Sequence, residues 1–405
     1  MLNESAESGG QTGTGTPPET ATPSRYPGAR MAMFYAALFA VIGVNMPFWP
    51  LWLASRGLDP SEIGVVVSLG LAMKVIANPL LGHFADRSGQ RRSLMIFLSM
   101  GAALAYGSFW FGHSFWVLAV ISMCYFALWS PLIPLGENVT MLLVREQGFD
   151  YGRIRLWGSV GFIVASVGAG LVLARQATED VPDLIYMMVT GAIVLTSLTC
   201  IALPRTAPVR AESRRWTALA VLSDRRFVLF LVCSALIQAS HSAYFAFATL
   251  HWKVLGHSEL VIGVLWAVGV AAEIVLFVFA KKAVARIGAL RLLMWGAAAG
   301  CIRWSLMPID LPLAALFPLQ VLHAFTFAAA HLGAMFFITD QIEQKFSATA
   351  QTLYSSAVMG VALSATTLVS GYLFELYGSA VFIAMAVMSL GGLMLSLVMI
   401  RTQNQ

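Results

Sequence analysis

Charge is what this sequence has least of. Only 11% of its 405 residues are Asp, Glu, Lys or Arg, against 58% that are hydrophobic. That is too little polar surface to clothe a soluble core of this size, which excludes a soluble globular protein. Cysteine is scarce as well. Cys124, Cys200, Cys233 and Cys301 fall in or at the ends of apolar stretches, with no paired spacing that would suggest a disulfide framework or a metal site. Packing is their expected role, and no metal or other cofactor is expected. No nucleophile constellation is visible and no polar stretch is long enough for a soluble signalling domain, which argues against an intramembrane enzyme and a membrane sensor. Residues 1–30 are rich in Ser, Thr, Gly and Pro and lack an apolar run, so they read as a disordered tail with no cleavable signal.

Apolar sequence is what the chain has in abundance. A helix that crosses a bilayer needs about 20 residues. Stretches of that kind lie at 31–54, 61–84, 93–112, 115–143, 154–174 and 184–203, and again at 227–252, 260–280, 290–309, 313–338, 350–374 and 378–400. The expectation is an all-α membrane protein of twelve transmembrane helices in two six-helix bundles, 31–203 and 227–401. A linker at 204–226 with six arginines joins them.

Lysine and arginine are distributed unevenly. In this topology twenty of the 25 fall on the side that carries both termini, three (Arg56, Arg175 and Lys253) fall on the other, and Lys74 and Arg303 lie inside spans. Because cytoplasmic loops collect these residues, both termini are expected in the cytoplasm and the protein in the inner (plasma) membrane. The net charge of +5 reflects this bias and is no argument for nucleic acid as a partner.

One polar hairpin punctuates the first half: Gly82 to Arg92 reads Gly-His-Phe-Ala-Asp-Arg-Ser-Gly-Gln-Arg-Arg. Shifting the chain by 199 residues places Arg87 on Arg286 and Gly89 on Gly288. The same shift places Gly57, Gly64, Gly70 and Gly161 on Gly256, Gly263, Gly269 and Gly360. Agreement at one fixed shift implies two similar halves.

Several polar residues sit where hydrocarbon makes them costly. Lys74 is mid-span, where an ammonium costs about 2.5 to 3.5 kcal/mol, so it should face protein or a water-filled cavity, with snorkelling as the alternative. Asn45, Trp49 and Trp52 share a helical spacing beside Pro47 and Pro50 and could line a cavity or simply pack. Glu137 and Arg155 flank one short turn and could meet as a substrate pair or as an ordinary ion pair. Arg153, two residues from Arg155, points elsewhere. In the second half lie Gln238, His241 and Tyr244, then Glu273 at the shifted position of Lys74, then Arg303. His323, Phe327 and His331 follow, spaced by four on one stripe.

This pattern resembles the major facilitator superfamily, whose Gly-x-x-x-Asp-Arg-x-Gly-x-Arg-Arg signature the 82–92 hairpin matches. Within it, the chain is similar to the phenylpropionate permease branch, relatives of lactose permease. The residues that carry this are Leu51-Trp52-Leu53 to Ile63-Gly64, Asp150 to Ser159, Ala271-Ala272-Glu273, Ile302-Arg303-Trp304, and Leu322-His323 through His331-Leu332. The resemblance implies that Glu137 and Arg155 match the substrate pair, and Arg303 and His323 the helix-nine arginine and helix-ten histidine. Thr326 stands where a coupling glutamate is expected, Met359 where a lysine is, and Phe162 where a stacking Trp is; these departures argue against galactosides.

The reading that follows is a proton-coupled symporter of a small organic anion, an aromatic carboxylate favoured, working by alternating access. Lys74 and Arg303 would attract the carboxylate, with Trp49, Tyr244 and Phe162 around its apolar body. Glu273 is the first choice for the coupling proton and His323, whose imidazole titrates nearest neutral pH, the second. Asp86, Arg87, Arg91 and Arg92 would pair at the cytoplasmic mouth as a gate. The expected partners are a small-molecule substrate, protons and lipid, with the protein a monomer and the proton gradient its only driving force. A sugar or nucleoside symporter is the alternative, and a drug/proton efflux antiporter a further one.

Overall fold

The computed structural model describes residues 26–204 and 217–403, and among these there is no strand. The expected tail falls almost wholly, and the linker in large part, outside the described residues. Six helices form the first half: α1 (Pro27–Ser55), α2 (Pro60–Ser88), α3 (Arg91–Phe111), α4 (Phe115–Gln147), α5 (Tyr151–Leu173) and α6 (Val181–Ala202). The second half begins with α7 (Arg225–Val254) and α8 (Glu259–Val278), continues with α9 (Ala289–Leu306), and then α10 (Leu313–Gln341). It closes with α11, running continuously through Ser347–Tyr354, Ser355–Ala362 and Leu363–Tyr377, and α12 (Val381–Gln403).

Length and hydropathy alone mark ten crossings. The difference from twelve has two causes. Thr349–Gln403 is 55 residues long, far beyond the ~20 that one crossing takes, and the chain reverses inside it at Gly378, where φ is +57°. The other is α9, whose 18 residues carry Arg291 and Arg303 and so read as less apolar. Each expected span coincides with one of these helices, the ends shifted by about a turn or less. Pro27, for example, starts α1 inside the stretch expected to be tail.

The repeated glycines have a physical reason. Gly57 and Gly256 both have positive φ, +84° and +82°, as do Gly89 and Gly288 at +66° and +85°, a backbone state that a Cβ disfavours. Two residues beyond each member of the first pair stands an N-cap. Asp59 accepts from the Glu62 backbone N–H to open α2, and Ser258 accepts from Val261 to open α8.

Packing repeats with the sequence. In the first half α1 lies along α5, α2 along α4 and α3 along α6; in the second α7 lies along α11, α8 along α10 and α9 along α12. The halves meet through α2 against α11 and α5 against α8. Both seams close on the side away from the termini, called here the far side. Gly64 abuts Gly371 so closely that a Cβ on Gly64 would lie 2.7 Å from the Gly371 Cα, and Gly263 abuts the Ser166 backbone in the same way. Hydrogen bonds stitch the same places: Ser68 Oγ donates to the Ser364 carbonyl at 2.8 Å and Ser166 Oγ to the Gly263 carbonyl at 3.0 Å. Small residues permit this approach between membrane helices.

Candidate functional site

In the second half, α8, α9 and α10 bring three ionisable side chains into one chain of contacts. Arg303 is fully buried. Its Nη1 donates to Nδ1 of His323 at 2.8 Å and to Thr326 Oγ1 at 3.3 Å, while Nη2 donates to Gln320 Oε1 at 2.7 Å. The guanidinium lies 4.3 Å from the Tyr244 ring centroid and 4.6 Å from that of Trp304, a cation held over two aromatic faces. Tyr244 also donates to Gln320 Oε1 at 3.1 Å. On the other side of the imidazole, His323 Nε2 lies 2.8 Å from Glu273 Oε1.

These contacts settle the tautomer of His323. A guanidinium has donors only, so Nδ1 must offer its lone pair to Arg303, and the ring proton must sit on Nε2, where it is donated to the Glu273 carboxyl. His323 cannot take a second proton on Nδ1 without losing Arg303. Glu273 keeps 15% of its side-chain surface exposed against 8% for His323, so it is the member of the chain that water reaches most readily. It also lies within electrostatic reach of His331 and, across the gap between the halves, of Arg155.

The first half contributes a sparser set. Arg155 Nε lies 4.0 Å from Glu137 Oε1, with 28% and 41% of the two side chains exposed. The guanidinium stacks 4.1 Å from the Phe39 ring centroid and 5.4 Å from that of Tyr35. Arg153 is exposed, so of the two arginines it is Arg155 that turns inward. Lys74 lies 5.7 Å from the Phe126 ring centroid, and among the described residues no carboxylate comes within ion-pair distance of it.

Other expected site residues are placed differently. Trp49 stacks on Trp52 at 4.3 Å with Tyr106 and Phe109 against it; α3 closes over it, so in this structure it is core and lines no cavity. Phe162 is buried at the α1–α5 seam, its backbone against Gly43. Tyr244 is buried beneath Arg303, and Arg303 itself lies behind His323, so neither is open to a ligand in this conformation. The residues expected at the gate make the following contacts. Asp86 pairs with the buried Arg91 at 2.9 Å, Arg92 donates to the Ile201 carbonyl, and Arg87 is exposed. The Asp86–Arg91 pair lies within the α2–α3 hairpin, and the Arg92 bond joins α3 to α6.

Gln320 is the buried polar residue that sequence reasoning passed over. It precedes His323 by three, hence on the same helical face, and a lone amide in an apolar span was the available signal.

Two packed bundles with ionisable groups at the gap between them define a membrane transporter. The chain belongs to the MFS_1 like family, whose model matches residues 29–384, and is therefore a transporter of permease type and not an enzyme. It is 30% identical to the probable 3-phenylpropionic acid transporter of Escherichia coli (strain K12) over 90% of this chain and 96% of that protein. It is 26% identical to the maltose permease of Geobacillus stearothermophilus, covering 92% and 94%. In fold it matches the crystal structure of the nucleoside transporter NupG with a TM-score of 0.81 at 16% identity, over 92% of this chain and 98% of that one.

Proposed function

We propose that the chain is a proton-coupled symporter for a small organic anion, an aromatic carboxylate such as 3-phenylpropionate, bound between the halves. The observation that carries the anion is Lys74. An ammonium deep in a span without a carboxylate partner is expensive, and a bound substrate carboxylate supplies the missing charge. Arg155 stands second, flanked by the Phe39 and Tyr35 rings, which suit an aromatic body. Arg303 acts from behind by fixing His323.

Glu273 carries the coupling proton in this reading. Low dielectric disfavours a bare carboxylate, so protonation removes a costly charge before the loaded carrier reorients. His323 orients and shares that carboxyl and is not itself the carrier. The twenty-to-three bias of Lys and Arg supports cytoplasmic termini in an inner membrane, which makes this conformation sealed toward the outside. Similarity to a 3-phenylpropionic acid transporter supports the substrate class.

A second reading, a neutral sugar or nucleoside, draws on the half-buried Glu137–Arg155 pair, since a carboxylate beside a guanidinium suits hydroxyl groups. Uptake of radiolabelled 3-phenylpropionate, maltose and a nucleoside into proteoliposomes under an inward proton gradient tests the two. Uphill accumulation of the aromatic acid supports the first reading, and accumulation of a neutral solute alone overturns it.

A further inference from the structure

Below the Arg303–His323–Glu273 chain, toward the terminus side, lies a second imidazole that the mechanism above does not use. His331 is half-buried on α10, with Nδ1 3.3 Å from Oη of Tyr354 on α11. Tyr354 is buried and stacks on Phe230, ring centroids 6.1 Å apart, so the hydroxyl that holds the imidazole is itself immobilised. Among the described residues Nε2 of His331 has no hydrogen-bond partner.

The backbone is shaped to line these rings up. Four residues of α-helix turn through about 400°, so a stripe spaced by four drifts by about 40° per step. Between the two histidines α10 widens to a π-helix over Ala324–Ala329, which offsets that drift. The rings then lie nearly parallel: His323 and Phe327 at 16° with centroids 5.4 Å apart, and Phe327 and His331 at 10° and 6.4 Å. Such widened turns recur at functional sites.

The charged and titratable groups around His331 are few. Glu273 on α8 is the charge that acts on it, and Tyr354 on α11 is its hydrogen-bond partner. His323 lies further along the same stripe. Arg303 on α9 and His241 on α7 are engaged with Thr326, at 3.3 Å and 3.0 Å.

From this placement we infer that His331 is the second proton carrier of the transporter, exchanging the coupling proton between Glu273 and water on the terminus side, with Tyr354 as its positioning residue. The inference rests on the assignment of the coupling proton to Glu273. In the step itself the O–H bond of the Glu273 carboxyl breaks and, relayed through intervening water, an N–H bond forms at His331 Nε2. The product is a carboxylate beside an imidazolium. The imidazolium then loses that same proton to water and the neutral ring is restored.

The test compares two fluxes of 3-phenylpropionate in proteoliposomes: net flux driven by a proton gradient, which requires proton release, and equilibrium exchange, which does not. In His331→Gln the ratio of net flux to exchange should fall about 100-fold, the scale of one positioned proton-transfer group, with a smaller fall in Tyr354→Phe. An unchanged ratio in His331→Gln overturns the inference. So does a parallel loss of both fluxes in protein that melts at the wild-type temperature, because that marks a packing role. If wild-type protein moves maltose or a nucleoside in place of the aromatic acid, the substrate reading fails and the same ratio, measured with that solute, still judges His331. If wild-type net flux ignores the proton gradient, coupling fails at Glu273 and the inference falls with it.

Discussion

The ring proton of His323 points at Glu273, 2.8 Å away, because the other ring nitrogen is taken by Arg303. This one relationship assigns separate duties within the buried network. The arginine fixes a tautomer, the histidine presents a donor, and the carboxyl is left as the group that can gain and lose a proton without dismantling the rest.

Replacing Arg303 by Lys should therefore do more than change a ligand. An ammonium cannot donate in a fork to His323, Thr326 and Gln320 at once, so buried acceptors lose their partner. A stability loss of about 3 kcal/mol is expected, together with loss of coupled transport, read as a lower melting temperature in detergent and a flux assay. Unchanged melting would contradict the network as described.

Lys74→Gln should weaken anion binding while leaving the fold intact, because no described carboxylate is left behind. A charge-assisted hydrogen bond contributes about 1.5 to 3 kcal/mol, so affinity for 3-phenylpropionate should fall on the order of 10- to 100-fold in an equilibrium binding assay. Equal affinity in the variant would remove Lys74 from the site.

Closing the far side depends on missing side chains. A Cβ at Gly64 would sit 2.7 Å from the Gly371 Cα, and Gly263 is as tightly set against Ser166. Gly64→Val or Gly263→Val should cost the sealed state about 1 to 3 kcal/mol through overpacking and shift the population toward opening on that side. A cysteine placed at Ser364, which is buried in the seam, should then react faster with a membrane-impermeant maleimide added from the far side. A rate equal to that in the Gly64 parent would contradict the seam.

The architecture was legible in the sequence because hydrocarbon imposes it: backbone groups must be satisfied internally, so long apolar runs become helices. The glycine echo was legible for a different reason. Gly57 and Gly256 share a turn conformation and Gly64 and Gly263 a seam, and both demands exclude side chains. Which polar residues meet was not legible. Helical spacing places Trp49 on a face but does not say that Tyr106 and Phe109 cover that face, and it lists Arg303 as a cation without showing His323 in front of it. Asp86 and Arg91 could be paired on paper within one hairpin, yet only the fold shows that the bond forms, at 2.9 Å. Gln320 carries no charge, so nothing in the sequence marks it as the acceptor on which two donors converge.

The most direct test of the account is the Glu273→Gln variant, assayed for proton-driven accumulation of 3-phenylpropionate and for its equilibrium exchange across the same proteoliposome membrane. Glutamine keeps an acceptor for the His323 Nε2 proton but cannot ionise, so the account predicts that uphill accumulation is lost while exchange persists. Accumulation at the wild-type level would show that the coupling proton does not reside on Glu273.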